Sequence, residues 1–223
     1  DAWRSNPFVI VFGGDDCMTD EQRVRSTLER IRWAFDAFDT PLVTTSGGET
    51  SALLPDLVSR ALQHRSFPIV FVDHGFYHSS TYAMVERLAD EGYEVHIYAS
   101  LLESRDLEVR YPRWYEPGSE RFKDAVAVMK HEPLERAFTE LEPDAWIRGI
   151  SRYETSERRT TSFVEKQKGL YRVHPIIDWT REQVLEYLVE RDLPRNEHHY
   201  DVTKGPEQTA ECGILMLGRA PSI

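Results

Sequence analysis

Apolar positions along the chain alternate between a helical and an extended period. From Thr19, which forms a capping box with Gln22, the residues Val24, Leu28, Ile31, Ala34, Phe35 and Phe38 make one helical stripe. A short β-like run at 41–45 then leads through Ser46-Gly47-Gly48-Glu49-Thr50-Ser51 into Ala52 to Leu54, Leu57, Val58, Ala61 and Leu62, which again recur at helical spacing. Residues 68–73 are almost wholly apolar, as in a strand buried on both faces, and end on Asp73. A helix is predicted over 80–91, stopping at Gly92, then a strand over 93–98, a helix over 130–141, strands over 145–149 and 171–176, and a helix over 181–190 capped by Thr180 with Gln183. Residues 101–118, polar, aromatic and broken by Pro112 and Pro117, read as a long ordered loop or small insertion; the tryptophans are expected in the core, with Trp114 the one candidate for a lid over the ligand site. A further strand-like run at 8–12 has no assigned role.

Strands that alternate with helices of this length predict an α/β fold. The form expected is a Rossmann-like open parallel sheet of about five strands with right-handed crossovers and helices on both faces. The reading takes 1–223 as a single α/β nucleotide-binding domain: an N-terminal strand and helix (1–40), a core (41–194) and a mobile C-terminal tail (195–223) that carries Cys212. Ligands of such sheets bind beyond the carboxyl ends of the strands. Ser46 to Ser51, Asp73-His74-Gly75 and the segment after Tyr98 fall on that edge.

Composition narrows the guest. The net charge of −11 argues against a broad polyanion surface and for a small anionic ligand held by a local group of cations. No run reaches the length of a membrane span and the start is not signal-like, so a cytoplasmic protein without membrane contact is expected. The two cysteines, Cys17 and Cys212, supply neither a zinc set nor an iron–sulfur set. At the glycine turn, Gly47 and Gly48 let the backbone turn tightly, while free N–H groups and the hydroxyls of Ser46, Thr50 and Ser51 can face a phosphate-shaped anion. An ordinary strand-to-helix turn with a Ser cap would read the same way. The adjacent His198 and His199 do not make a metal site, whereas His74 is placed for a nucleotide contact, and Cys17 reads as a small buried hydrophobe.

Four stretches in order resemble the sulfonucleotide reductases of the adenine nucleotide α-hydrolase, or ATP pyrophosphatase (PP-loop), superfamily. They are Phe71-Val72-Asp73-His74-Gly75 with Thr81-Tyr82, Lys130-His131-Glu132-Pro133-Leu134-Glu135-Arg136-Ala137, the run from Arg152 to Arg159, and His174-Pro175-Ile176-Ile177-Asp178-Trp179. The resemblance implies an oxidoreductase of sulfur metabolism that reduces 3′-phosphoadenosine 5′-phosphosulfate, rather than adenosine 5′-phosphosulfate, to sulfite. It places Ser46, Gly47 and Gly48 on the phosphate or sulfate end, Asp73 and Gly75 beside the nucleoside, Gly149 against the adenine, and Lys130, Arg152 and Arg159 around the anionic groups. Glu211-Cys212-Gly213 resembles the motif of the catalytic cysteine, whose thiolate attacks sulfur and is cleared by thioredoxin or glutaredoxin. No bound cofactor is implied, an iron–sulfur cluster is excluded, and assembly as a homodimer is left open.

Two other readings stay open. After Gly213 stand Ile214 and Leu215, where the reductases have Leu and His, and the turn at Ser46 is close to the Ser-Gly-Gly-x-Asp-Ser loop of the ATP pyrophosphatases. The first alternative is an enzyme that uses ATP and Mg²⁺ to adenylate a small molecule or RNA base before sulfur transfer, with Thr50 where that loop has its carboxylate. The second is a non-catalytic nucleotide-binding protein.

Overall fold

In a computed structural model of the chain, residues 18–115 and 119–195 are described. They fall into two compact units, one of residues 18–44, 50–67 and 143–193, the other of 45–49, 68–142 and 194–195. The run at 8–12, Cys17, the paired histidines and Cys212 lie outside the described residues.

The first unit opens with α1 (Asp20–Ala37), whose N-terminus is closed as its sequence predicts: Thr19 Oγ1 accepts from the Gln22 amide and Gln22 Oε1 from the Thr19 amide. Its inward face carries Thr27, Arg30, Ile31 and Ala34. Strand β1 (Pro41–Thr45) follows, and then, in place of one helix, α2 (Glu49–Ala52) and α3 (Leu54–Ala61). Pro55 lies in the first turn of α3, where a missing N–H is harmless, and it could not have continued α2. Leu54, Leu57, Val58 and Ala61 put the buried face of α3 in the core.

Strands β4 (Ala145–Arg148), β5 (Val164–Gln167) and β6 (Leu170–Val173) complete this unit's sheet in the order β1-β4-β6-β5. Pairings β1–β4 and β4–β6 are parallel and β5–β6 is antiparallel. Asp144 sets the first register, since its carboxylate accepts from the amides of Asp39 and Thr40 at 2.8 and 2.9 Å and so ties the start of β4 to the start of β1. The expected count of about five strands omitted β5, a four-residue hairpin partner whose turn, Lys168-Gly169, has both residues at positive φ. Helix α8 (Arg181–Glu190) closes the unit behind the Thr180–Gln183 capping box.

In the second unit β2 (Pro68–Asp73) buries Ile69, Val70 and Phe71 and pairs in parallel with β3 (Glu94–Ala99). Helix α4 (Ser79–Asp90) joins them. The segment expected to be a long loop or small insertion contains α5 (Ser104–Arg110). Trp114, 1% exposed, is core rather than lid: it packs with Leu107, Ala125 and Met129, its ring 5.5 Å from that of Phe76. Helices α6 (Arg121–Val126) and α7 (Glu132–Leu141) are joined by a π-helical turn, Ala127–His131, which contains Lys130.

The fold is therefore α/β with mostly parallel strands, six where about five were expected. No helix among the described residues is long and apolar enough to cross a membrane.

One half-buried carboxylate binds three chain segments of the first unit. Asp178 Oδ2 accepts from Arg30 of α1 at 2.5 Å and Oδ1 from Arg152 at 2.8 Å, and the Arg30 guanidinium, 5% exposed, also donates to the Pro175 carbonyl. Removing one partner of a buried pair leaves the other charge uncompensated. Asp178→Ala is expected to lower unfolding free energy by ~3–5 kcal/mol in urea denaturation, and Asp178→Asn by less, because the amide oxygen still accepts one guanidinium hydrogen bond.

Candidate functional site

The second unit carries the glycine turn and the end of β2. Gly47 sits at φ +80°, and a Cβ there would lie 2.8 Å from Thr81 Cγ2, so both its conformation and its contact with α4 require glycine. Thr81 is fully buried at that contact. Asp73 ends β2, and its Oδ1 accepts from the Gly75 amide and from the Tyr82 hydroxyl, each at 2.8 Å. Burial, and then the Asp73 carboxylate, push the Tyr82 hydroxyl well above the usual phenol range, so Tyr82 stays a donor that fixes the carboxylate.

Past Asp73 an open cleft of about 380 Å³ is lined by Asp73, His74, Gly75, Ser100, Glu103 and Arg105, beyond the carboxyl ends of β2 and β3. That is the edge where such sheets bind ligands. His74 is buried, its ring stacked on Tyr77 with centroids 3.8 Å apart, and its Nδ1 accepts from the Phe76 amide at 3.1 Å. Its place is thus structural as well as adjacent to the cleft. Lys130 is half-buried in the π-helical turn, a local irregularity common at functional sites.

In the first unit, the start of α2 and the end of β4 meet backbone to backbone. A Cβ on Gly149 would stand 2.3 Å from the Thr50 carbonyl oxygen and 2.8 Å from Ser51 Cα, distances that only glycine tolerates. Thr50 and Ser51 are buried, and the Thr50 hydroxyl donates to Glu154 Oε1 at 2.9 Å. Glu154 also accepts from the Ser151 amide at 2.6 Å and pairs with Arg158 at 2.9 Å. Burial raises the Glu154 carboxyl above its ordinary range, while Arg158 and these hydrogen bonds oppose the shift.

The cations proposed from sequence differ in their surroundings. Arg152 is taken up internally by Asp178 and by the Thr161 carbonyl, to which its Nε and Nη2 both donate at 3.1 Å. Arg159 is exposed and has neither hydrogen bond nor ion pair among the described residues. Sequence reasoning passed over Glu154, Arg158 and Tyr82, which the structure ties to Thr50 and Asp73. Arg158 and Glu154 stand inside the motif from Arg152 to Arg159, but their four-residue spacing outside a predicted helix gave no sign that they pair. Ser46, Gly47, Gly48, Asp73, His74, Gly75 and Lys130 belong to one unit and Thr50, Ser51, Gly149, Arg152 and Arg159 to the other.

The phosphoadenosine phosphosulfate reductase domain family matches residues 40–201. A phosphoadenosine 5′-phosphosulfate reductase of Alkalilimnicola ehrlichii is 32% identical over 196 residues, 86% of this chain and 79% of the relative. Among solved structures, a phosphoadenylyl-sulfate reductase from Candida auris in its phosphate complex aligns with a TM-score of 0.64 at 21% identity, covering 82% of this chain and 92% of that one. An NH3-dependent NAD synthetase from Campylobacter jejuni aligns with a TM-score of 0.56 at 15% identity, covering 79% and 75%. These two likenesses give the fold, that of the adenine nucleotide α-hydrolases. With the match spanning the glycine turn, Asp73, Lys130, Gly149 and the motif from Arg152 to Arg159, the chain belongs to the phosphoadenosine phosphosulfate reductase family of oxidoreductases.

Proposed function

We propose that the protein reduces 3′-phosphoadenosine 5′-phosphosulfate to sulfite, with Cys212 as the nucleophile. The observation that carries this reading is the family match across residues 40–201, supported by curated relatives that are named for that substrate. The Cys212 thiolate attacks the sulfur of the phosphosulfate, the S–O bond to the phosphate breaks, and adenosine 3′,5′-bisphosphate leaves with that oxygen. The product on the protein is a cysteine S-sulfonate. A thiol of thioredoxin or glutaredoxin then attacks the Cys212 sulfur, sulfite departs, and a second thiol resolves the mixed disulfide. Two electrons come from the dithiol, so the step needs no resident metal or cluster, in keeping with a chain that has two cysteines.

The chain's own residues are assigned to binding. Asp73, fixed by Tyr82 and Gly75, holds a sugar hydroxyl or an adenine amino group in the cleft past β2, because a carboxylate already oriented by two donors keeps acceptor capacity for a third. Ser46, Gly47 and Gly48 offer a phosphate turn, with Lys130 as a point charge for the anionic end. Arg159, exposed and unengaged among the described residues, is assigned to the phosphosulfate, as is Arg152 once it exchanges Asp178 for the ligand.

With dithiothreitol-reduced thioredoxin, the protein is expected to release sulfite from 3′-phosphoadenosine 5′-phosphosulfate, and Cys212→Ser is expected to abolish release while leaving nucleotide affinity unchanged. Sulfite from the variant at the parent rate would remove Cys212 from the chemistry. In thermal-shift measurements, adenosine 3′,5′-bisphosphate should stabilise the protein more than ATP with Mg²⁺; stabilisation by ATP alone would favour the adenylating reading instead. Tyr82→Phe should weaken adenosine 3′,5′-bisphosphate by roughly three- to tenfold, about the worth of one ordinary hydrogen bond since Tyr82 acts only by orienting Asp73, read by isothermal titration.

A further inference from the structure

One face of the first unit's sheet collects positive charge that none of the assignments above uses. On β4, Ala145 and Ile147 are buried, so Trp146 and Arg148 share the opposite face. Trp146 is in register with Arg172 of β6, and Arg172 with Glu165 of β5, which puts all four on that face. His174 stands two residues beyond Arg172, its amide bonded to the Phe163 carbonyl at 2.8 Å in continuation of the β5–β6 ladder. Both guanidinium groups flank one indole, Arg148 at 4.3 Å and Arg172 at 5.5 Å from the Trp146 ring. Arg158 adds a third cation.

This cluster is short of acceptors. Arg148 and Arg172 make no hydrogen bond or ion pair with the described residues, and Arg172 Nε is buried without a partner. His174 is fully buried, and neither of its ring nitrogens is hydrogen-bonded, although Glu165 Oε2 stands 3.7 Å from Nε2. Against three arginines the nearby carboxylates are Glu154, already committed to Arg158, Thr50 and Ser151, and Glu165. The electrostatics reflect the surplus. Burial, then Arg158 and Arg172, bring Arg148 down to about 10, while burial, then Arg148, Arg172 and Arg158, bring His174 down to about 3 and keep it neutral. Buried polar groups left unsatisfied in this number call for a ligand that supplies acceptors.

We propose that this face is a binding site for a tetrahedral oxyanion, sulfate or phosphate, held by the Arg148 and Arg172 guanidinium groups together with Arg158 and one ring N–H of His174. A tetrahedral dianion presents several acceptors to planar guanidinium forks, neutralises the surplus charge and satisfies the buried donors at once. The site rests on the first unit alone and does not depend on the reductase reading. Its anion is either free or the terminal group of a larger molecule such as a nucleotide.

The test is isothermal titration of the full chain with inorganic phosphate and with sulfate at constant ionic strength in chloride. Saturable binding is expected, weakened at least about tenfold by Arg148→Met and by Arg172→Met, each of which removes charge-assisted hydrogen bonds while keeping an apolar stem on Trp146. Lys123→Met, at an exposed position on α6, should leave the affinity unchanged. Should a variant fail to fold, phenylglyoxal modification of the parent chain gives a second readout: phosphate should protect Arg148 and Arg172, mapped by peptide mass spectrometry. Displacement of phosphate by adenosine 3′,5′-bisphosphate would assign the site to a nucleotide's phosphate, and coexistence of the two would assign it to a free anion. Absence of saturable binding, affinity unchanged in both arginine variants, or no protection of either arginine would overturn the proposal.

Discussion

The contact between Gly149 and the backbone of Thr50 and Ser51 is the constraint on which the rest of the first unit's candidate site depends. With room for no Cβ between the end of β4 and the start of α2, the residue after the glycine turn and the residue after the strand are held at a fixed separation. Thr50 is then within reach of Glu154, Glu154 orders the Ser151 amide, and Arg158 closes on the same carboxylate. An anion site must be rigid before its ligand arrives if binding energy is not to be consumed in ordering it. Here the rigidity comes from backbone packing, which costs no side-chain entropy.

Charge in this unit is divided between two uses. Asp178 consumes the positive charge of Arg30 and Arg152 to tie α1 to the segment that follows β6, and Arg30 is nearly inaccessible as a result. Arg148 and Arg172 have no such counterpart among the described residues and rest instead on the face of Trp146. Arg30 is thus a structural arginine, whereas Arg148 and Arg172 are held without a carboxylate of their own among the described residues. Exposure alone would not separate them, because Arg148 and Arg172 are half-buried.

Much of the architecture was legible because it rests on local chemistry. Both capping boxes, Thr19 with Gln22 and Thr180 with Gln183, fix helix starts by bonds between residues three apart, and the apolar run from Pro68 to Asp73 can only be a buried strand. What escaped depends on partners distant in sequence. Strand β5, Val-Glu-Lys-Gln, has no apolar pattern of its own and exists because β6 lies beside it across the Lys168-Gly169 turn. Trp114 left a choice between core and lid because its neighbours in sequence are polar, and its neighbours in space, Leu107, Met129 and Phe76, decide for the core. At the site, Asp73 and the glycines stood out because a carboxylate closes an otherwise apolar strand and paired glycines mark a tight turn before a helix, both on the edge where such sheets bind ligands. Glu154 and Arg158 did not, because a pair of opposite charges four apart reads as solvated surface until its burial is known.

The chemistry assigned to the protein follows from one covalent intermediate that its nearest alternatives lack. Adenylation would place a nucleotide on the acceptor, and a non-catalytic binder would form no bond at all, whereas thiol-dependent reduction passes the sulfonate to Cys212. The most direct test is the mass of the protein after incubation with 3′-phosphoadenosine 5′-phosphosulfate in the absence of any thiol reductant. One added sulfonate on the peptide that contains Cys212, released as sulfite when thioredoxin is supplied, is the predicted result; an unmodified Cys212 with substrate consumed would contradict it.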